Sequence, residues 1–234
     1  MAHLKGETRA RYVQDMFARI APRYDLMNRL MTAGQDVRWR RDAIRRAGLH
    51  PGDRLLDLGA GTGDLAREAL RQCPDCYPIA ADFTLEMMRV GRSRPGNSAV
   101  GWCAADALRL PYPDETFAAV VSGFLMRNVI DIPPALREQY RVLKSDGRCV
   151  VLDTTRPPRN LLSPFVRFHM RRVIPTLGRL ITGEADAYTY LPDSTEQFLT
   201  AEDLAVHMRL AGFRDVGFAR RMLGTIAIHW GSKQ

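Results

Sequence analysis

The chain contains no apolar run near the roughly 18 residues that a bilayer-spanning helix requires. Its first residues, Met1-Ala-His-Leu-Lys-Gly-Glu7, hold no apolar core of the kind a secretory signal carries. A cytoplasmic protein is expected. Cysteine is scarce, with four in 234 residues, too few for a disulfide framework in a chain this long. The one close pair is Cys73-Pro-Asp-Cys76. It falls in a loop, whereas a redox pair belongs at the first turn of a helix and a zinc site needs two further ligands nearby. The pair therefore reads as structural. No histidine–carboxylate cluster has metal-ligand spacing, so no metal is expected. His169 and His207 read as surface or cap residues, and His229 as part of an edge strand. Repeats, low-complexity tracts and linkers are also missing, so residues 1–234 read as one domain.

Lysine is nearly absent. Only 3 of the 34 basic residues are lysine, and the formal net charge is +8. The arginine bias reads either as genome composition or as a preference for anionic surfaces. No arginine–aromatic platform of an RNA-binding motif is visible. One basic stretch stands apart. Arg156, Arg159, Arg167, Arg171 and Arg172 interleave with Leu161, Leu162, Phe165, Val166, Phe168, Met170, Val173 and Ile174. Such a segment either lies on a membrane surface or packs on the domain with a solvated basic face.

The densest information lies in Arg54-Leu-Leu-Asp-Leu-Gly-Ala-Gly-Thr-Gly-Asp64. An apolar run predicts a buried strand, then glycines 59, 61 and 63 lead into a helix-like segment. A strand, a glycine turn and a helix N-terminus form a nucleotide-sized cradle at the carboxyl edge of a sheet. Read blandly, the G-x-G-x-G loop is only a tight turn. Its spacing is not the G-x-G-x-x-G of dinucleotide folds, and Asp57 precedes it by two residues. A pyrophosphate would be repelled there. A cationic ligand would be welcome, and S-adenosylmethionine carries a sulfonium and an α-amino group. A second apolar run ends in Asp82, 19 residues after Gly63. An acid there is placed for a ribose's two hydroxyls, or as a helix cap, or both. Ala104-Ala-Asp106-Ala107 follows a third run and either borders an adenine or is a loop.

Strands are expected at 54–58, 77–82, 100–103, 117–122, 147–153, 213–219 and 223–230, the last two as a hairpin at the sheet edge near Gly224. Helices are expected at 64–72, 84–92, 134–143 and 201–211, the last capped by Thr200 with Asp203 and closed by Gly212. Residues 8–47 read as helices broken near Pro22 and Gly34. This alternation predicts an α/β fold, a doubly wound, mostly parallel seven-stranded sheet. Within the single domain, 1–47 would be a helical lid, 48–156 the cofactor core, 157–198 a cap over the substrate, and 199–234 the closing helix and strands.

With these features in order, the chain resembles the class I S-adenosylmethionine-dependent methyltransferases. More narrowly, it resembles the ubiquinone/menaquinone biosynthesis C-methyltransferase family. The resemblance rests on Phe17-Ala-Arg-Ile-Ala-Pro-Arg-Tyr-Asp-Leu-Met-Asn28 with Trp39, on Arg127-Asn128-Val129, Ala135-Leu-Arg-Glu138 and Tyr140-Arg-Val-Leu-Lys144, and on Ala187-Tyr-Thr-Tyr-Leu-Pro-Asp-Ser194 with Phe198. The departures are Thr32 and Asp36 for the family's serine and histidine, Lys144-Ser-Asp-Gly147 for Lys-Pro-Gly-Gly, and Asp153-Thr-Thr155 for Glu-x-Ser. Gly123, beside Ser122, also stands where the family has serine. They leave the acceptor open between a prenylated quinol and a soluble phenolic metabolite, with a non-catalytic homologue as a third reading.

The resemblance implies S-adenosylmethionine as cofactor, S-adenosylhomocysteine as product, and a lipophilic quinol as substrate. A peripheral membrane contact and a homodimer are further expectations. No nucleic-acid partner is expected, since Ser122-Gly-Phe-Leu-Met-Arg-Asn128 stands where an Asn/Asp-Pro-Pro-Tyr/Phe motif would be. The expected cofactor residues are Asp57, Gly59, Gly61, Thr62, Gly63, Asp82, Phe83, Asp106, Ala107, Ser122, Gly123 and a covering Tyr24. Asp25 and Asn28 belong to the same covering segment, where Tyr24 and Met27 could instead only pack a helix. Tyr188, Tyr190 and Phe165 would line the substrate pocket, or the two tyrosines would only wedge the cap. Ring carbons are poor nucleophiles until the neighbouring hydroxyl, with a pKa of about 10, loses its proton. Arg127 would stabilise that phenolate, or form an ordinary ion pair, and Asn128 would orient a hydroxyl or water.

Overall fold

The computed structural model describes residues 6–156, 172, 173, 176 and 194–234. Seven strands form one sheet: β1 Arg54–Leu58, β2 Tyr77–Asp82, β3 Gly101–Ala104, β4 Phe117–Gly123, β5 Leu143–Thr154, β6 Arg214–Arg221 and β7 Ile226–Ser232. Their order is β3-β2-β1-β4-β5-β7-β6. The first five are parallel, and β7 runs antiparallel to both neighbours. The chain goes from β1 to β2 on one side and later crosses to β4 on the other. The carboxyl end of β1 is therefore the switch point at which a ligand crevice opens.

Strand pleating sorts the side chains. Leu56 and Leu58 of β1 join a cluster with Phe117, Leu136, Met208 and Phe213. Leu55 joins the opposite cluster, with Trp39, Ala43, Ile44 and Leu65. The first face is covered by α6 (Ile132–Val142) and α7 (Ala201–Leu210), the second by α3 (Gln35–Ala47) and α4 (Asp64–Gln72). The period of two places Asp57 on the α3/α4 face. α5 (Leu85–Arg92) follows β2.

The N-terminal segment is helical as expected: α1 Gly6–Ile20, a 3₁₀ turn Ala21–Arg23 at Pro22, and α2 Tyr24–Met31, with Gly34 in the left-handed region ahead of α3. Met16, Ile20, Met27 and Met31 make a small core of their own. Pro133 and Pro134 sit in the first turn of α6, where a missing N–H costs no helical bond. Thr200 caps α7 by accepting from the Asp203 N–H at 3.2 Å. Gly212, at φ +108°, follows its last turn.

Two expectations need correction. His229 is not in an edge strand. β6 lies outside β7, so His229 is buried, its Nε2 2.9 Å from the Ala201 carbonyl oxygen. β5 begins four residues earlier than expected, because Leu143 pairs with Phe117 before an irregularity resets the register to Ala119 and Arg148. Cys73 and Cys76 are buried and unbridged, packed against the α3/α4 core. Among the described residues no helix is long and apolar enough to cross a membrane, and none groups as a metal site. The basic stretch 157–174 and His169 lie, but for Arg172 and Val173, outside the described residues.

Leu56 is fully buried in the central strand. Leu56→Ala should lower unfolding free energy by about 2–5 kcal/mol through lost burial and a residual cavity. Urea unfolding followed by circular dichroism checks this, and a loss below about 1 kcal/mol would contradict the packing described.

Candidate active site

The loop after β1 is held from two sides. The Gly59 and Ala60 N–H groups donate to the Ala81 carbonyl at 2.8 and 3.1 Å. The Gly61 N–H donates to Asp82 Oδ2 at 2.7 Å, and the Thr84 N–H to Asp82 Oδ1 at 2.7 Å. Gly59 and Gly61 have φ of +66° and +57°. A Cβ on Gly59 would lie 2.7 Å from Leu125 Cδ1. Glycine is thus required both for conformation and for close approach. Burial raises the Asp82 pKa, while the donated N–H groups oppose that shift. An ionised carboxylate offers about four lone-pair sites. Asp82 thus braces the loop and holds Thr84, the residue ahead of α5, without capping the helix, and it still has acceptor capacity for a diol.

Asp57 sits beneath the loop. Its Oδ2 accepts from the Ala66 N–H at 2.9 Å. Its Oδ1 is buried without a partner. Burial pushes its pKa up to about 7, with repulsion from Asp64 and Asp82 adding to the effect and the Ala66 N–H and Arg40 opposing it. A buried carboxylate oxygen without a donor is costly unless a ligand supplies one. An ammonium group does so.

Two adjoining cavities border this loop. The larger is lined by Tyr24, Gly59, Gly61, Asp82, Phe83, Asp106, Ala107, Gly123 and Asn128, with Val13, Gln14 and Phe17 of α1 above. The smaller is lined by Tyr24, Arg40, Asp57, Gly59, Gly61, Thr62, Asp64 and Gly123. Together they form a groove with an apolar, acid-edged end and an ionic end. Most of the residues expected from sequence meet here. Gly63 and Ser122 do not line it. Gly63 precedes α4 with Trp102 against it, and Ser122 is buried in β4 with its hydroxyl unpartnered. Asp106 is exposed, and its carboxylate accepts from the Leu108 N–H at 2.9 Å within a turn.

The N-terminal helices are tied down by polar contacts that the sequence did not announce. Gln14 donates to the Phe83 carbonyl at 3.0 Å, and Arg9 to the Arg127 carbonyl at 2.7 Å. Asp25 accepts from the Thr62 hydroxyl at 2.8 Å and pairs with Arg94. Tyr24 packs edge-on against Phe17 and lines both cavities. Asn28 and Met27 are buried inside the lid.

Arg127 and Asn128 part company. Asn128 lines the larger cavity and donates to the Phe124 carbonyl at 3.0 Å. Arg127 lines a third cavity, which shares Val129 and Ile130 with the first and adds Met126, Ile132, Phe198 and the half-buried His207. Its Nη1 pairs with Asp153 Oδ1 at 2.7 Å, and its Nε is buried without a partner. The ordinary ion pair is therefore present, and the buried Nε–H is left without an acceptor. Tyr188, Tyr190 and Phe165 lie outside the described residues.

The groove fits S-adenosylmethionine: an orphaned carboxylate oxygen for a cation, a glycine cradle that a Cβ would fill, and a second acid for a ribose. Comparison with known proteins agrees. The model of the ubiE/COQ5 methyltransferase family matches residues 4–233. A ubiquinone/menaquinone biosynthesis C-methyltransferase of Desulfotalea psychrophila is 48% identical over 94% of this chain and 90% of its own length. A demethylmenaquinone methyltransferase of Thermus thermophilus is 43% identical over 93% of this chain and 100% of its own. A Haemonchus contortus phosphoethanolamine N-methyltransferase solved with S-adenosyl-L-methionine shares the fold at a TM-score of 0.64, with 14% identity over 84% of this chain and 52% of that one.

Asp57 gives the groove a pH signature. An ionised carboxylate can pair with an ammonium; a protonated one cannot. Between pH 7 and about 5.5, the dissociation constant of S-adenosylhomocysteine should rise by up to about tenfold per unit, a limit set by uptake of one proton. Calorimetric titration across that range checks this. Asp57→Asn should flatten the dependence, and an unchanged slope in the variant would remove Asp57 as its source.

Proposed function

The chain belongs to the ubiE/COQ5 methyltransferase family, and on that premise we propose that it methylates a ring carbon of a prenylated quinol in quinone biosynthesis. S-Adenosyl-L-methionine, when bound, supplies an electrophilic methyl group on a sulfonium. Asp57 holds its ammonium, Asp82 its ribose, and Phe83, Asp106 and Ala107 border its adenine. Lid residues Phe17 and Tyr24 keep bulk water from the groove. Asn128, lining the larger cavity, orients the acceptor hydroxyl.

The observation that carries this reading is the buried, unpartnered Nε of Arg127, a residue lining a cavity of mixed polar and apolar walls next to the cofactor groove. As the phenolic hydroxyl loses its proton, negative charge develops on oxygen. A preorganised guanidinium with a buried, unused donor stabilises that charge strongly. Asp153 fixes the guanidinium through Nη1 at 2.7 Å and also accepts from the Arg127 N–H at 3.2 Å. The phenolic proton passes to water, and after methyl transfer the ring carbon gives up its own hydrogen as a proton while the oxygen is reprotonated, so one proton is released per turnover. The walls formed by Met126, Ile130, Ile132 and Phe198 suit a hydrocarbon tail. The tail itself is delivered at a membrane surface, on which the basic stretch 157–174 docks the protein from the cytoplasmic side.

Purified protein with S-adenosylmethionine and a reduced, prenylated demethylquinol should give a product heavier by one methylene unit, read by mass spectrometry. Arg127→Ala should lower kcat by about 10²–10³-fold with cofactor affinity kept. Substrate presented in anionic vesicles should turn over faster than in neutral ones, and equal rates would remove membrane docking. A tail-less phenol methylated as efficiently as the prenylated quinol would replace this reading with that of a soluble-metabolite enzyme.

A further inference from the structure

The ionic end of the groove holds a residue that no sequence motif assigned. We propose that Arg40 of α3 binds the carboxylate of the cofactor's methionine moiety, making the N-terminal helices part of the cofactor site. This rests on the reading of S-adenosylmethionine as the groove's ligand.

Arg40 is buried, yet it lines the small cavity together with Asp57, Gly59 and Gly61. The helix places it there. Asp36 and Arg40 fall on the same stripe of α3 as Trp39, Ala43, Ile44 and Ala47, all buried. A charged pair on a buried stripe is expensive unless it is matched by other charges or by a ligand.

The matching is incomplete within the protein. Arg40 pairs with Asp36 through Nη1, and its Nη2 lies 3.3 Å from Asp64 Oδ2. Neither acid depends on Arg40 alone. Asp36 also pairs with Arg29 at 2.8 Å and accepts from the Thr32 hydroxyl at 3.0 Å. Asp64 also pairs with Arg67. Three guanidiniums therefore serve two carboxylates.

Asp57 lines the same cavity and has an unpartnered oxygen. A buried guanidinium shared between acids and an orphaned carboxylate oxygen, both from residues lining one small cavity, are complementary to a zwitterion, an α-ammonium beside an α-carboxylate. Arg29, Arg40 and Arg67 already balance Asp36, Asp57 and Asp64, three against three, so a neutral zwitterion gives Asp57 a donor and Arg40 a further acceptor without adding net charge. Arginine also suits the task, since its planar fork can serve fixed acids and a carboxylate at once.

The test compares S-adenosylhomocysteine with its decarboxylated analogue, by calorimetry, on the full chain. Wild type should bind the carboxylate-bearing ligand about 10- to 100-fold more tightly, as one charge-assisted contact provides. Arg40→Gln should lose that preference while keeping its affinity for the decarboxylated ligand, and Arg40→Lys should retain part of it. Thermal unfolding shows whether the variants are folded. If Arg40→Gln weakens both ligands equally, Arg40 is only structural and the proposal is overturned. Should that variant fail to fold, wild type decides by itself, since equal affinity for both ligands also overturns it. If wild type binds neither, the cofactor reading fails first.

Discussion

Asp82 accepts one backbone N–H from the glycine loop after β1 and another from Thr84 ahead of α5. Those two bonds fix the cradle to the end of the neighbouring strand. The parallel pairing of β1 with β2 and β4 sets where that cradle stands. The reversal of strand order at β1 opens the crevice, and pleating sends Asp57 toward α3 and α4. A carboxylate at that register meets Ala66 on one side and a cavity on the other.

The lid completes the groove with different physics. It has its own small apolar core and reaches the rest of the protein through polar contacts: Gln14 to Phe83, Arg9 to Arg127, Asp25 to Thr62 and Arg94. Such contacts exchange readily with water, and each has modest net strength. The α3 helix anchors the other end of this segment in the main core, through Trp39, Ala43 and Ile44.

Much of this was legible in the residues, for identifiable reasons. Buried parallel strands read as apolar runs, so β1, β2 and β4 stood out, and the acids ending or interrupting them marked the site. The start of β5 was hidden by Lys144-Ser-Asp-Gly147, because the pairing of Leu143 with Phe117 is a long-range contact. The interior position of β7 was hidden because order within a hairpin depends on which strand meets β5. Arg40 lies 17 residues before Asp57, and only the tertiary fold brings them to one cavity. A local signal existed: Asp36 and Arg40, four apart, on a stripe otherwise carrying Trp39, Ala43, Ile44 and Ala47. The division of Arg127 from Asn128 had no such signal, since adjacent residues in a loop can face either way.

The central claim is that the groove around Asp57 and Asp82 binds S-adenosylmethionine. The most direct measurement is calorimetric titration of S-adenosylmethionine into the wild type and into Asp82→Ala. The account predicts binding near the micromolar range to the wild type. It also predicts a loss of at least about tenfold in the variant, because a carboxylate that braces the loop and accepts from a ribose is removed. A folded wild-type protein that does not bind, or a variant that binds equally well, would contradict it.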